Sequence, residues 1–218
     1  MQVMSPQARS GLAVRPINQV LRNTYLLMSM MLGLSAVAVW YAINSGAAPL
    51  NKWLFLAFLI GMPYLIYATR KSVAGLGLSF VYAALLGYFL GPIIGMYARI
   101  NPNIPMYAFA GTAIIFGAMT ATALLSKRDF SFMRGFLVVG TVVAILAIVA
   151  NMFFQIALFS VIISSVVVVL ASLWILYSTQ QAVNGGEDNY VVLATGLFSD
   201  IWVLFMHLMN LLNFFGGD

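Results

Sequence analysis

The chain has 218 residues, 63% of them hydrophobic, with ten Lys and Arg, five Asp and Glu, and a formal net charge of +5. Charged residues make up only 7%, against about a quarter in soluble domains, so a water-facing surface cannot be built from what remains. Cysteine is absent and there is one histidine, which excludes disulfide scaffolds, iron-sulfur clusters and thiolate zinc sites and leaves no metal-ligand spacing.

A helix crossing a bilayer takes about 20 apolar residues, because a core of ~30 Å is climbed at ~1.5 Å per residue. The composition therefore predicts an all-α membrane protein of seven transmembrane helices with almost no extramembrane domain. Residues 1–23 are polar, carry Arg9, Arg15 and Arg22, and contain Pro6 and Pro16; they are expected to form a short N-terminal arm. The apolar runs that follow predict spans at about 24–43, 53–69, 75–98, 106–125, 135–153, 156–177 and 190–213, with 214–218 as a short tail. The first run exceeds the ~7 to 15 apolar residues of a cleavable signal peptide and is expected to stay in the membrane.

Pro, Gly, Asn and charge collect at the breaks between runs. The shortest break lies around Asn151 to Gln155. Read as one helix, 135–177 would be about twice the length one crossing requires, so a helical hairpin is the better reading. Basic residues give the orientation: Arg9, Arg15, Arg22, Arg70, Lys71, Lys127, Arg128 and Arg134 fall on one side of this topology and only Lys52 and Arg99 on the other. The positive-inside rule then puts the N-terminus in the cytoplasm and, with seven spans, the C-terminus outside. Because the basic residues are spread over short loops, the charge reads as topology, and no nucleic-acid partner is expected.

Asp200 is the residue most informative about function. It falls about 14 to 15 Å into the seventh span by helix rise, where a carboxylate costs ~2.5 to 3.5 kcal/mol and usually faces a bundle interior or a hydrated cavity. The functional reading is a proton-sensitive gate or ion-contacting group; the structural one is a carboxyl that cements helices. His207 and Asn210 follow at seven and ten positions, so the three share one helix face and make a polar stripe. For His207 an interhelical hydrogen bond is the first expectation. Arg70 and Lys71 close the second span; anchoring alone accounts for them, while a functional reading has one of them latch onto a carboxylate or hydroxyl at the cytoplasmic mouth. Glu187 and Asp188 precede the seventh span, where the helix dipole favours acids. Gly87 to Pro92 combines small residues with a proline and is expected to permit close helix approach. Gly33-Leu34-Ser35 and Gly77-Leu78-Ser79 lack a G-x-S-x-G frame and an evident paired histidine, so no catalytic residues and no enzyme are expected.

The last third carries a resemblance. Leu176-Tyr177-Ser178-Thr179-Gln180, Gly185-Gly186-Glu187-Asp188-Asn189-Tyr190 and Ala194 to Phe205 resemble the signature of the Bax inhibitor-1 family, the Gly-Gly-Glu stretch being similar to its proteobacterial YccA-like branch; Gly87 to Ile93 resembles the family's third-span segment. The resemblance implies a bacterial inner (plasma) membrane protein whose last helix is central and wrapped by the other six. In calcium-leak members it implies an aspartate pair from the sixth and seventh spans that senses pH, with a second-span arginine as latch. Asp200 matches one aspartate and Arg70 is the candidate latch, but Ser178 stands where the sixth-span aspartate is expected. One carboxylate facing a hydroxyl cannot share a proton as two carboxylates do. The YccA-like branch implies instead a partner, the membrane-anchored ATP-dependent protease FtsH, which would grip the arm bearing Arg9, Arg15 and Arg22. No cofactor is expected, calcium entering only as a transported ion in the alternative reading.

Overall fold

A computed structural model describes residues 17–49, 51–126 and 128–216. Among the described residues all regular structure is helical: α1 (Ile17–Asn44), α2 (Lys52–Ala68), α3 (Val73–Ile100), α4 (Asn103–Leu125), α5 (Met133–Phe154), α6 (Ala157–Asn184) and α7 (Tyr190–Phe215). All but α2 are long and apolar enough to cross a membrane; α2 has 17 residues and is equally apolar in character. Large apolar side chains such as Phe109, Phe132, Val139, Leu146 and Phe154 stand exposed around the bundle, a surface suited to hydrocarbon and not to water.

The helix ends follow local chemistry. Asn51 and Asn189 cap α2 and α7, Asn51 Oδ1 accepting from the Trp53 N–H and Asn189 Oδ1 from those of Val191 and Val192. Such caps satisfy donors that the first turn leaves free. Gly185 ends α6 at φ 73°, the left-handed conformation that glycine adopts without penalty. Gln155 also takes a positive φ of 52°, and Asn151 Oδ1 accepts the Ile156 N–H just beyond it. The shortest break in the sequence is therefore a real turn between two helices.

Two boundaries move. α6 continues past Tyr177 to Asn184, because an apolar run marks the thickness of the bilayer while a helix persists until Gly185 stops it. α1 starts at Ile17, directly after Pro16, so Arg22 is exposed on a helix and is not part of an arm reaching residue 23. Arg9 and Arg15 lie outside the described residues.

α7 packs against α1, α2, α3, α4 and α6, and the main core gathers around it through Leu197, Phe198, Trp202, Leu204 and Met209. α5 is the exception: its shaft packs on α6, around Leu137, Ala144, Ile163, Val167 and Leu170, and only its end meets α2. α1 and α3 approach closely at Gly87 and Gly91, where a Cβ would lie 2.8 Å from Ser35 Cα and 2.6 Å from Ala42 Cβ respectively. Small residues spaced four apart let two backbones meet in this way.

Candidate functional site

α2 has α3 and α7 as its neighbours and α5 has only α6, so the shafts of α2 and α5 do not pack together. Between them the bundle keeps a cavity of about 700 Å3, walled by residues of α2, α3, α5, α6 and α7. Most of the wall is apolar, including Phe55, Leu59, Ile60, Ile148, Val167 and Met206. At one end it is bridged: Lys52 Nζ donates to the Met152 carbonyl at 3.0 Å, and the Trp53 ring lies 5.3 Å from that of Phe153.

The predicted stripe on α7 faces this space, with Asp200, His207 and Asn210 all in the wall. Their situations differ. His207 Nδ1 lies 2.9 Å from Ser164 Oγ, and Asn210 Nδ2 donates to Ser164 Oγ at 2.8 Å and to Ser160 Oγ at 2.9 Å. These two side chains tie α7 to α6, as expected of polar groups that would otherwise sit unpaired in an apolar medium. Asp200 is half-buried, and among the described residues nothing donates to its carboxylate or pairs with its charge. The neighbouring Ser199 hydroxyl is occupied by the Thr195 carbonyl and by Tyr82 Oη, 3.1 Å away.

Ser178 does not line the cavity, and no hydrogen bond joins it to Asp200. The helix register explains this. Ser178 lies six residues before the end of α6, whereas Asp200 lies ten residues into α7; at ~1.5 Å per residue the two sit about 6 Å apart along the hairpin. Trp174, ten residues from the end of α6, is level with Asp200 and lines the same wall.

Arg70 stands at the opposite end of α2 from Lys52 and is engaged there. Its guanidinium lies 3.7 Å from the Glu187 carboxylate and 4.1 Å from the centre of the Tyr67 ring, and its carbonyl accepts from Asn189 Nδ2 at 2.7 Å. Arg70 thus ties the α2–α3 turn to the α6–α7 loop, and it does not meet Asp200. Glu187 serves this tie and also accepts from the Asn189 backbone N–H.

Two structural polar groups escaped the sequence reading. Gln180, almost wholly buried, accepts from the Phe130 N–H at 2.7 Å and donates to the Arg128 carbonyl, holding the α4–α5 loop on α6. Trp174 Nε1 donates to Thr141 Oγ1 at 2.9 Å, joining α6 to α5 across the cavity wall. The signal for Trp174 was available, since an indole N–H within a span must find a partner.

The family described as Inhibitor of apoptosis-promoting Bax1 matches residues 17–217. The chain belongs to the Bax inhibitor-1 family. An uncharacterised protein of Pseudomonas aeruginosa is 34% identical over the whole of both chains. The Modulator of FtsH protease YccA of Escherichia coli K12 is 34% identical over 92% of each, and a membrane protein of Vibrio cholerae is 34% identical over the same share. An inner membrane protein YccA of a second Escherichia coli strain matches equally. With its apolar helices and these relatives, this Bax inhibitor-1 family member is a multi-pass inner-membrane protein. The family match runs from the first residue of α1 to beyond the end of α7, so it takes in every helix around the Asp200 cavity.

Proposed function

We propose that the protein is a non-enzymatic modulator of the membrane-anchored protease FtsH, acting as a substrate-like inhibitor. The observation that carries this reading is 34% identity, over 92% of each chain, to a relative named Modulator of FtsH protease. The physical account rests on two parts. The polar segment ahead of α1, with Arg9 and Arg15, is the part that a processive protease would grip, since polar termini are common points of proteolytic entry. The helices behind it resist extraction, held by the Gly87 and Gly91 seam and by the His207, Asn210 and Gln180 bonds. Deleting residues 2–10 should abolish the effect on turnover of a second FtsH substrate while the bundle stays folded; an unchanged effect would refute the proposal.

This mechanism takes the N-terminus as cytoplasmic and counts seven crossings. Eight basic residues against two support that orientation. Although α2 rises only about 25 Å, Lys52 bonds to the end of α5 while Arg70 reaches Glu187 in the α6–α7 loop. α2 therefore runs between opposite ends of the bundle, as a crossing helix does. Cysteine scanning with impermeant thiol reagents checks the assignment: residues at 46 and 216 should label from outside and residue 71 should not.

A second reading, a pH-sensitive calcium leak, is favoured by one observation: the Asp200 carboxylate faces a large cavity without a partner among the described residues. Ser178 offers it no second carboxylate there. Calcium flux into proteoliposomes at two pH values, lost in Asp200→Asn, would put this reading first; no flux in either protein would remove it.

A further inference from the structure

From the free carboxylate in the apolar cavity we infer that the space between α2 and α5 is a binding site for a hydrophobic amine, a protonated nitrogen on an apolar body, that enters from the bilayer. The inference is independent of the protease reading, and neither falls with the other.

Most polar side chains of the wall already have a protein partner. Lys52 donates to Met152, Asn151 accepts from Ile156, Trp174 donates to Thr141, Tyr82 meets Ser199, Trp202 donates to the Leu86 carbonyl, and Ser160, Ser164, His207 and Asn210 bond among themselves. Only Asp200 and the hydroxyls of Tyr64 and Tyr97 have no protein partner among the described residues that line the space. The one free charge that the described wall offers a ligand is thus the Asp200 carboxylate, set in a largely apolar surround. A volume of about 700 Å3 lies within the ~300 to 1,000 Å3 typical of small-molecule sites, which pair apolar walls with a few placed polar groups.

Charge complementarity selects the ligand class. A carboxylate at this depth is costly unless paired, and a cation brought to it relieves that cost. A bare divalent ion fits poorly: calcium takes about six to eight oxygen ligands, carboxylates prominent among them, whereas this wall holds one carboxylate and its serine oxygens are hydrogen-bonded. A single ammonium with an apolar body matches one carboxylate and an apolar wall together. The route follows from packing. α2 and α5 are bridged at the Lys52 and Trp53 end but do not pack along their shafts, so the opening faces the hydrocarbon, into which such amines partition. The other ionisable groups facing the cavity are Lys52 at the bridged end, Tyr64, Tyr82, Tyr97 and His207; none is a second acid.

Trp174 and Trp202 line the cavity and serve as fluorescence donors. The full-length protein in nanodiscs is titrated with dansylcadaverine, a primary amine on a fluorescent apolar body, and with its N-acetylated, uncharged form. Saturable energy transfer is expected with the amine, and only a linear partition signal with the acetylated probe. Asp200→Asn, checked for monodispersity by size exclusion, should bind the amine at least tenfold more weakly. Equal saturable binding of the two probes by the wild type, or undiminished binding of the amine by Asp200→Asn, would overturn the inference, as would the absence of any saturable signal.

Discussion

Replacing Gly87 by Ala tests the α1–α3 seam with a single methyl group. The added Cβ would lie nearest the Ser35 carbonyl oxygen, and 2.8 Å from both Ser35 Cα and Ser35 Oγ, where ordinary van der Waals contact begins at 3.4 Å. Because Cα is backbone, no side-chain rotation relieves the clash, and the helices must part by at least the difference, about 0.6 Å. A gap of this size forfeits about a quarter to a half of the ~0.1 to 0.2 kcal/mol held by each carbon pair. Over roughly forty pairs, about what one buried leucine makes, that is ~1 to 4 kcal/mol, overlapping the ~1 to 3 kcal/mol of overpacking in cores. Gly95, on the same helix, supplies the control, since nothing lies within 4 Å of its Cβ position. Gly95→Ala should be neutral or stabilising by up to ~1 kcal/mol, because alanine loses less backbone entropy in a helix. Thermal unfolding in detergent, followed by loss of the monodisperse peak, should rank Gly87→Ala below wild type and Gly95→Ala at or above it. Equal midpoints for the two variants would refute the close-packing argument.

Gln180→Leu should release the 128–132 loop, because the Phe130 N–H and Arg128 carbonyl lose their buried partner at a cost of ~1 to 3 kcal/mol; hydrogen exchange at Phe130 should quicken, and unchanged protection would count against it. Thr195→Val should leave stability equal or higher, since the Thr195 hydroxyl is buried without a partner among the described residues and an orphan polar group is a net cost; a lowered midpoint would show that the hydroxyl is satisfied. Asp129, exposed in the same loop, accepts the Ser131 N–H at 2.8 Å, which holds its carboxyl below the usual 3.8. A lowered folded pKa stabilises the folded loop above the ordinary value and loses that contribution as pH falls through the folded one. Carboxyl NMR should therefore show Asp129 titrating below 3.8, and Ser131→Pro, which removes the N–H, should bring it back up.

How much of the site was legible depended on whether a feature was local. The α7 stripe could be read directly, because three polar residues at helical spacing on an apolar span must share a face. Their different situations could not, since whether a group is paired depends on α6: Ser160 and Ser164 meet Asn210 and His207, while the level of Asp200 brings Trp174 alongside it. The family pattern set Ser178 opposite Asp200 and Arg70 as their latch. In the fold Ser178 lies about one turn away, by a rise of ~1.5 Å per residue, and Arg70 meets Glu187. The expectation that Arg70 or Lys71 would find a carboxylate at the mouth named the kind of contact and left its partner open.

The sequence by itself determined the medium, the helices and the breaks between them. Those follow from hydrophobic length and from residues that act within a few positions: Asn51 and Asn189 as caps, Gly185 as a stop, and the turn at Gln155. Only the tertiary structure decided which helices touch. That α5 leans on α6 and leaves its shaft apart from α2, so that Asp200 faces open space and meets no partner among the described residues, is a property of contacts between segments far apart in the chain. Apolar spans are alike in composition, and what sorts them into neighbours is the shape of their surfaces, such as the small-residue seam that brings α3 to α1.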